Sequence, residues 1–294
     1  MKEKTVIIIV GPTAVGKTAA AIQLAKSLHT RIISADSRQC FRELNIGVAR
    51  PNPEELRSVQ HYFIASHSIQ EEVTAARFEG LALQWTGEIF AGGQDRVVMV
   101  GGTGLYINAF CEGLDTIPPI DEEIRQNIRQ QYELGGMVWL QQKVQETDPG
   151  FYADGETQNP QRLMRALEVR LSTGRSILSY RTRQKKERPF RIQKIGLQLP
   201  KEELHRLIHE RVDRMMETGL LEEVKGLLPY RDRNALHTVG YTELFDHLEG
   251  RISLEDAISA IKKNTRGYAK RQMTWFRKDD SIRWLDATQK ITEP

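Results

Sequence analysis

The sequence contains little cysteine and no long apolar run. Its two cysteines, Cys40 and Cys111, form neither a disulfide framework nor a metal-ligand spacing, which favours a reducing compartment. No stretch approaches the ~20 apolar residues that span a bilayer. Residues 1–4 lead straight into the first apolar run, so we expect no secretory leader. These absences predict a cytoplasmic protein without a membrane partner.

The net charge is also small, at +3. It does not by itself indicate a nucleic-acid partner, but the basic residues are concentrated in two segments. Residues 262–278 contain seven Lys and Arg and no acid, whereas residues 181–191 contain six and one acid, Glu187. The six are Arg181, Arg183, Lys185, Lys186, Arg188 and Arg191. Such segments favour polyanion binding, the first more than the second; a solvated helix face and a solvated linker are the alternatives.

A glycine-rich loop follows the first apolar run. Residues 11–18 read GPTAVGKT after residues 5–10, which is the phosphate-binding pattern G-x-x-x-x-G-K-[ST] in a strand-then-helix setting. Gly11 and Gly16 let backbone N–H groups point at phosphate oxygens. Lys17 adds positive charge, and Thr18 offers a hydroxyl to Mg²⁺. The dipole of the following helix also favours an anion. The predicted phosphate site comprises Gly11, Pro12, Thr13, Ala14, Val15, Gly16, Lys17 and Thr18.

Apolar runs alternate with helical patterns along the first part of the chain. The predicted strands are residues 5–10, 31–35 and 96–100, with helices at 19–28 and 71–91. This alternation predicts an α/β fold with a P-loop NTPase-like parallel sheet. Ligands of such sheets bind beyond the carboxyl ends of the strands. We therefore expect the loops at 11–18, 36–41 and 101–106 to form one site.

The pattern becomes helical after Pro118. Helices are predicted at 122–132, 139–145 and 160–173, before strands resume at 192–199 and 282–285. We therefore predict a core domain of residues 1–117 and 190–294, with a helical C-terminal part. A mostly helical insertion domain, residues 118–189, interrupts it.

Two polar residues follow predicted core strands. Asp36 ends the second strand, where a carboxylate can hold magnesium-bound water or accept a proton; a helix N-cap or turn aspartate is the alternative. Thr103, in the sequence GGTGLY of residues 101–106, can donate to a phosphate or bridging oxygen, or can belong to an ordinary strand-to-helix turn. No acid follows the strand at 96–100, which argues against ordinary ATP hydrolysis.

Basic and aromatic residues of the C-terminal part supply further candidates. Arg211 lies beside an apolar helical stripe and can reach the phosphate site or pair at the surface. Tyr268, Arg271 and Trp275 share one predicted helical face in the basic segment. Aromatic and arginine side chains of this kind suit base stacking and phosphate contact; docking of the helix on the core is the alternative.

Taken in order, these motifs resemble the tRNA dimethylallyltransferases of bacterial type, over nearly the whole chain. The resemblance rests on residues 11–18, 34–39 with 45–51, 101–106, 159–169, 239–241 and 265–277. The phosphate loop alone is widespread, but the later motifs in this order are specific to that family. The chain departs from the family's usual residues at Cys40, Phe41, Val48, Arg50 and Thr242.

The resemblance implies an enzyme that transfers a dimethylallyl group from dimethylallyl diphosphate to N6 of the adenine just 3′ of a tRNA anticodon. It implies Asp36 as general base, Thr103 and Arg211 as stabilisers of the departing diphosphate, and Mg²⁺ on Thr18. We expect a monomer. The tRNA contacts that it implies are Asp36, Ser37, Arg38, Gln39, Thr103, Arg125, Gln161, Arg162, Leu163, Met164, Arg165, Tyr268, Lys270 and Arg271.

Three other functions are compatible with parts of the sequence. A P-loop kinase for a nucleotide or small metabolite would use the insertion as a lid, but has no use for residues 265–277. A prenyltransferase for free adenine nucleotides does not require the long insertion. An RNA-binding module with a vestigial loop does not require Lys17, Thr18 and Asp36.

Overall fold

The structure, a computed structural model, describes residues 3–182 and 184–288. Its six strands form one parallel sheet in the order β3-β2-β4-β1-β5-β6, which confirms the predicted fold class. The strand at the β3 edge is only two residues long and was not predicted. The strands are β1 Thr5–Val10, β2 Ile32–Ser34, β3 His61–Tyr62, β4 Arg96–Val100, β5 Arg191–Gln198 and β6 Ile282–Asp286.

Both faces of the sheet are covered, as a parallel sheet requires. Every residue of β1 is buried. Ile7 and Ile9 pack into one hydrophobic cluster with α1, whereas Val6 and Ile8 pack into another on the opposite face. Because strand side chains alternate between faces, a continuous β-branched run supplies both clusters at once.

Eleven helices lie in the described residues. The predicted helices at 122–132 and 139–145 are the two parts of α5, which is interrupted at Gly136 with φ 59° and ψ −155°. The helix predicted at 160–173 has the bounds of α7. The helices are α1 Lys17–Ser27, α2 Pro53–Ser58, α3 Ala75–Ala91, α4 Gly104–Glu112, α5 Glu122–Thr147, α6 Pro149–Asp154, α7 Pro160–Thr173, α8 Lys201–Glu217, α9 Leu220–Leu227, α10 Tyr241–Leu248 and α11 Leu254–Phe276.

The chain divides into two compact units, 1–111 with 187–294 and 112–186. The second unit begins a few residues before the predicted insertion of 118–189, and Ile117, just outside that insertion, packs on the core of this unit. That core lies among α5, α6 and α7 and includes Leu140 and Phe151, both almost fully buried. Arg183 of the second basic segment lies outside the described residues. In the part of the chain that is described, no helix is both long enough and apolar enough to cross a bilayer.

Candidate active site

Three loops meet at the carboxyl edge of the sheet. They follow β1, β2 and β4, which are neighbours in the order β2-β4-β1. Backbone hydrogen bonds continue past the strand ends: Ala35 N–H donates to Val100 O at 2.7 Å, and Gly101 N–H donates to Ile9 O at 3.2 Å. These hydrogen bonds join the ends of β1, β2 and β4, so the loops that follow the three strands lie side by side, as we expect for a parallel sheet.

The phosphate loop contains three residues with positive φ. These are Gly11 at 140°, Ala14 at 68° and Gly16 at 96°. A Cβ on Gly11 would lie 2.5 Å from Leu197 O, so no larger residue fits there. Gly16 caps α1 without a side chain, and the first N–H groups of a helix have no partner inside it. These groups can therefore bind an anion beside the helix dipole.

Lys17 is folded back over this loop. Its Nζ donates to Pro12 O at 2.6 Å. Burial, together with the positive charge of Arg211, lowers the pKa of Lys17 to about 7, while Asp36 acts in the opposite direction. All three charged side chains are half-buried, and all three line the same small cavity. A bound anion would favour the protonated ammonium.

Arg211 reaches the same loop from α8. Its Nη1 donates to Thr13 Oγ1 at 3.1 Å, across a sequence separation of 198 residues. Burial, then the neighbouring charge of Arg214, lowers the pKa of Arg211, and Asp36 raises it. An arginine remains charged despite such shifts. The phosphate loop therefore has a second fixed cation, and the surface alternative for Arg211 is wrong.

Asp36 caps the turn that follows β2. Its Oδ1 accepts N–H groups from Arg38 at 2.9 Å and from Gln39 at 3.2 Å. Beside it, Ser37 N–H donates to Thr103 Oγ1 at 3.0 Å, and the Thr103 hydroxyl lies 3.3 Å from Ser37 Oγ. Asp36 is thus a turn aspartate and not a helix N-cap, because residues 37–40 form a turn; the turn uses one oxygen of the carboxylate and fixes its direction.

The segment after Asp36 is held by contacts that sequence patterns did not reveal. Gln39 Nε2 donates to Val48 O at 3.1 Å and to Ala49 O at 3.0 Å. Further along, Glu223 accepts three successive N–H groups, from residues 45–47, and the Tyr241 hydroxyl at 2.6 Å. The carboxylate of Glu223 therefore shapes this segment from α9.

Gln272 is the principal site residue that sequence reasoning missed. It is buried, its Oε1 accepts from Thr13 N–H at 2.8 Å, and its Nε2 donates to Gly102 O at 3.0 Å. It lies within the motif 265–277, but nothing local indicates which way its side chain points. Only the three-dimensional fold brings it to the phosphate loop.

The glycines at 101–104 serve packing within the protein. A Cβ on Gly101 would lie 2.2 Å from Ala35 O. One on Gly102 would lie 2.1 Å from Gln272 Nε2, and one on Gly104 would lie 2.2 Å from Trp275 Nε1. These three glycines therefore admit the backbone after β2 and the side chains of α11, and Gly101 and Gly102 also line the smaller of the two cavities described below.

Two adjoining cavities open at this edge. The larger, of about 700 Å³, is lined by Arg38, Tyr268 and Arg271 among others. The smaller, of about 240 Å³, is lined by Lys17, Thr18 and Gln272. Both are bordered by Thr13, Asp36 and Arg211. The Asp36 carboxylate and the Arg211 guanidinium thus border both cavities. The smaller cavity is called the phosphate pocket below, after the loop that lines it, and the larger one is called the chamber.

The C-terminal basic segment contributes one wall of the larger cavity. Tyr268 is 36% exposed, and desolvation of its hydroxyl in the cavity wall, followed by the negative charge of Asp36, raises its pKa. The Arg271 guanidinium lies 5.8 Å from the centre of the Tyr268 ring, one turn along α11, and Lys270 is exposed. An aromatic ring with an adjacent guanidinium is suited to hold a base by stacking.

In the helical unit, the candidate arginines are paired with acids. Glu168 lies 3.8 Å from Arg125 and 3.3 Å from Arg165, and Arg162 pairs with Glu156 at 2.6 Å. The side chains of Leu163 and Met164 lie in the core of this unit, so RNA contact there would have to use backbone atoms. Gln161 is exposed at the start of α7.

The smaller cavity has oxygen-bearing side chains, those of Thr18, Asp36 and Glu55, that a magnesium ion accompanying a phosphate could use. The described residues contain no group of three or more His, Cys, Asp or Glu that could hold a metal alone. Mg²⁺ often takes one or two protein oxygens and completes its shell with water and phosphate oxygens. The Thr18 hydroxyl in the pocket meets that requirement.

Comparisons with known proteins agree on one family. The family model described as IPP transferase matches residues 39–279. A tRNA dimethylallyltransferase 1 from Bacteroides thetaiotaomicron is 46% identical over 285 residues, covering 97% of this chain and 92% of its own. A tRNA dimethylallyltransferase from Cytophaga hutchinsonii is 45% identical over 290 residues, covering 99% and 95%.

Solved structures are similar over the same extent. The tRNA isopentenylpyrophosphate transferase from Bacillus halodurans superposes with a TM-score of 0.70 at 38% identity, over 97% of this chain and 90% of its own. A eukaryotic dimethylallyltransferase acting on tRNA gives 0.78 at 26% identity, over 97% of this chain and 74% of its own.

Proposed function

The chain belongs to the IPP transferase family, and from this we propose that it transfers a dimethylallyl group from dimethylallyl diphosphate to N6 of the adenine 3′-adjacent to a tRNA anticodon. The observation that carries the proposal is the position of Asp36. Its carboxylate borders both the phosphate pocket and the larger chamber. A base placed there can serve an acceptor amine on one side while the other side holds a leaving group.

The phosphate pocket supplies what a departing diphosphate needs. Backbone N–H groups at the start of α1, Lys17 and Arg211 converge there, and negative charge grows on the bridging oxygen as the carbon–oxygen bond breaks. Mg²⁺ bound to the Thr18 hydroxyl and to phosphate oxygens would neutralise part of that charge. No phosphoryl acceptor is required, which agrees with the lack of an acid after β4.

The larger chamber supplies the acceptor side. N6 of adenine forms a bond to C1 of the dimethylallyl group, the C1–oxygen electron pair leaves with the diphosphate, and the N6 proton passes to Asp36. Thr103, whose hydroxyl accepts from Ser37 N–H and lies 3.3 Å from Ser37 Oγ, would donate to the departing oxygen after turning its O–H away from Ser37. Tyr268 and Arg271 would hold the adenine after it leaves its stack.

The anticodon stem-loop would contact two parts of the chain. In the core these are Ser37, Arg38, Gln39, Tyr268, Lys270 and Arg271. In the helical unit, the side chains of Arg125, Gln161, Arg162 and Arg165 and the backbone at Leu163 and Met164 would contribute. We propose a monomer that acts in the cytoplasm, where its RNA substrate is found.

The test is incubation of unmodified tRNA with labelled dimethylallyl diphosphate and Mg²⁺, followed by nucleoside analysis. We expect label on N6 of a single adenosine. Asp36→Asn keeps the oxygen that caps Arg38 and Gln39 but removes the base, so its turnover should fall at least about 100-fold while stem-loop binding stays within twofold. Near-normal turnover would refute the base assignment. Phosphate transfer from ATP, with no label on tRNA, would refute the function.

A further inference from the structure

One side chain ties the first loop of the chain to its last long helix. Thr13 N–H donates to Gln272 Oε1 at 2.8 Å, across a sequence separation of 259 residues. Gln272 Nε2 donates to Gly102 O at 3.0 Å. The residue is only 6% exposed. Since water cannot readily replace a partner in such a place, both hydrogen bonds matter for these backbone groups.

The chemistry of the two partners requires an amide. The side-chain oxygen faces a donor, Thr13 N–H, and the side-chain nitrogen faces an acceptor, the Gly102 carbonyl. A carboxylate of the same shape would keep the first bond but would place an oxygen against the Gly102 carbonyl. A Cβ on Gly102 would lie 2.1 Å from Gln272 Nε2, so a larger residue there would displace the amide from its position. The amide and the glycine are therefore complementary.

The two backbone groups belong to the loops that flank the proposed leaving group. Thr13 is held a second time, because its hydroxyl accepts from Arg211 at 3.1 Å. Gly102 precedes Thr103, whose hydroxyl accepts from Ser37 N–H beside Asp36. One amide thus sets the spacing between the phosphate loop and the turn that carries Thr103. Gln272 also lies one helical turn after Tyr268 on α11.

We propose that Gln272 is a positioning residue for the diphosphate, acting through Thr13 and Gly102. The inference rests on the proposed function, because it assumes that the phosphate loop holds the leaving group. Both polar atoms of the Gln272 amide bond to backbone groups, so we infer that the side chain acts on the diphosphate by fixing the positions of the two loops. Loss of the amide should weaken diphosphate binding and slow transfer, without a matching loss of RNA affinity.

The experiment uses Gln272→Met, which keeps the volume and removes both hydrogen bonds, and Gln272→Glu, which keeps only the acceptor. Thr274→Ala is the matched control, since Thr274 is exposed on the same helix and its hydroxyl bonds to Lys270 O in that helix. For each protein, calorimetry gives the Kd of inorganic pyrophosphate with Mg²⁺ and the Kd of an anticodon stem-loop. Thermal unfolding gives Tm, and steady-state assays give KM and kcat.

We expect Gln272→Met to raise the pyrophosphate Kd about tenfold, because a tenfold change in Kd corresponds to the loss of one interaction of ordinary strength. The Kd of the stem-loop should stay within twofold of the wild-type value. Gln272→Glu should weaken pyrophosphate binding further, and Thr274→Ala should match the wild type. The inference is overturned by a pyrophosphate Kd within twofold of wild type, or by equal losses of pyrophosphate and RNA affinity with a lower Tm. A wild type that binds pyrophosphate but never transfers a prenyl group refutes the proposed function instead.

Discussion

The core and the helical unit hold their functional side chains in different ways. In the core, Arg211 and Gln272 reach the phosphate loop from helices that are distant in sequence, and each has a backbone or hydroxyl partner fixed by the fold. In the helical unit, Arg125 and Arg165 share Glu168, and all three lie on α5 and α7, which pack on each other. Buried contacts between distant segments cost more to break than partly exposed ion pairs. Substitutions should therefore affect catalysis more in the core than in the helical unit.

The largest expected effect is at Arg211. Replacement with glutamine removes a half-buried cation beside the phosphate loop, so we expect kcat to fall at least about 100-fold, as for other groups that stabilise developing charge. Arg206→Gln is the control, because Arg206 lies on the same helix in an exposed ion pair with Glu210. Steady-state kinetics measures both. Similar losses of kcat in the two variants would contradict the expected difference between a cation held at the phosphate loop and an arginine in an exposed ion pair.

A smaller effect, on stability, is expected when a methyl group is added at Gly102. Gly102→Ala forces Gln272 to shift, so the free energy of unfolding should fall by about 1–3 kcal/mol, a typical cost of overpacking. Gly87→Ala is the matched change, since a Cβ there meets no atom within 4 Å and Gly87 lies within helix α3. It should stabilise the protein by up to about 1 kcal/mol. Denaturant unfolding compares the two, and a stabilised Gly102→Ala would contradict the packing assigned to this loop.

The smallest effect is expected in the helical unit. Arg165→Ala should weaken stem-loop binding by less than about tenfold and reduce the slope of log Kd against log salt by about one, the effect of one lost phosphate contact. Lys143→Ala is the control, because Lys143 is also exposed and ion-paired, with Glu146, but lies outside the implied RNA contacts. Titrations at several salt concentrations measure both slopes. Equal slopes for the two variants would remove Arg165 from the interface.

Local patterns predicted the elements whose ends are marked in the sequence. Helix α7 was predicted with its observed bounds because Asn159 caps Gln161 and Arg162, Pro160 occupies the first turn and Gly174 ends it with φ 71°. The continuous β-branched run of β1 was equally clear. In contrast, β3 has two residues and too little sequence for any period to appear.

Contacts between distant segments could not be predicted in the same way. Glu223 resembles any surface glutamate of an amphipathic helix, yet it holds three N–H groups of residues 45–47. Gln272 sits in a basic helix where a solvated side chain is expected. The glycines of residues 101–104 were recognised, but their neighbours were not, because these lie on α11 and after β2. The roles of Asp36, Thr103 and the RNA contacts remain predictions.

The bond between Thr13 and Gln272 has a consequence for biosynthesis. Thr13 leaves the ribosome before its partner Gln272, which follows 259 residues later. At elongation rates of about 5–20 residues per second, the interval is roughly tens of seconds. During that time a nascent chain has the sequence of a phosphate loop without the helix that fixes it. A chain cut short before residue 272 should therefore bind pyrophosphate poorly, however well its first strands have folded.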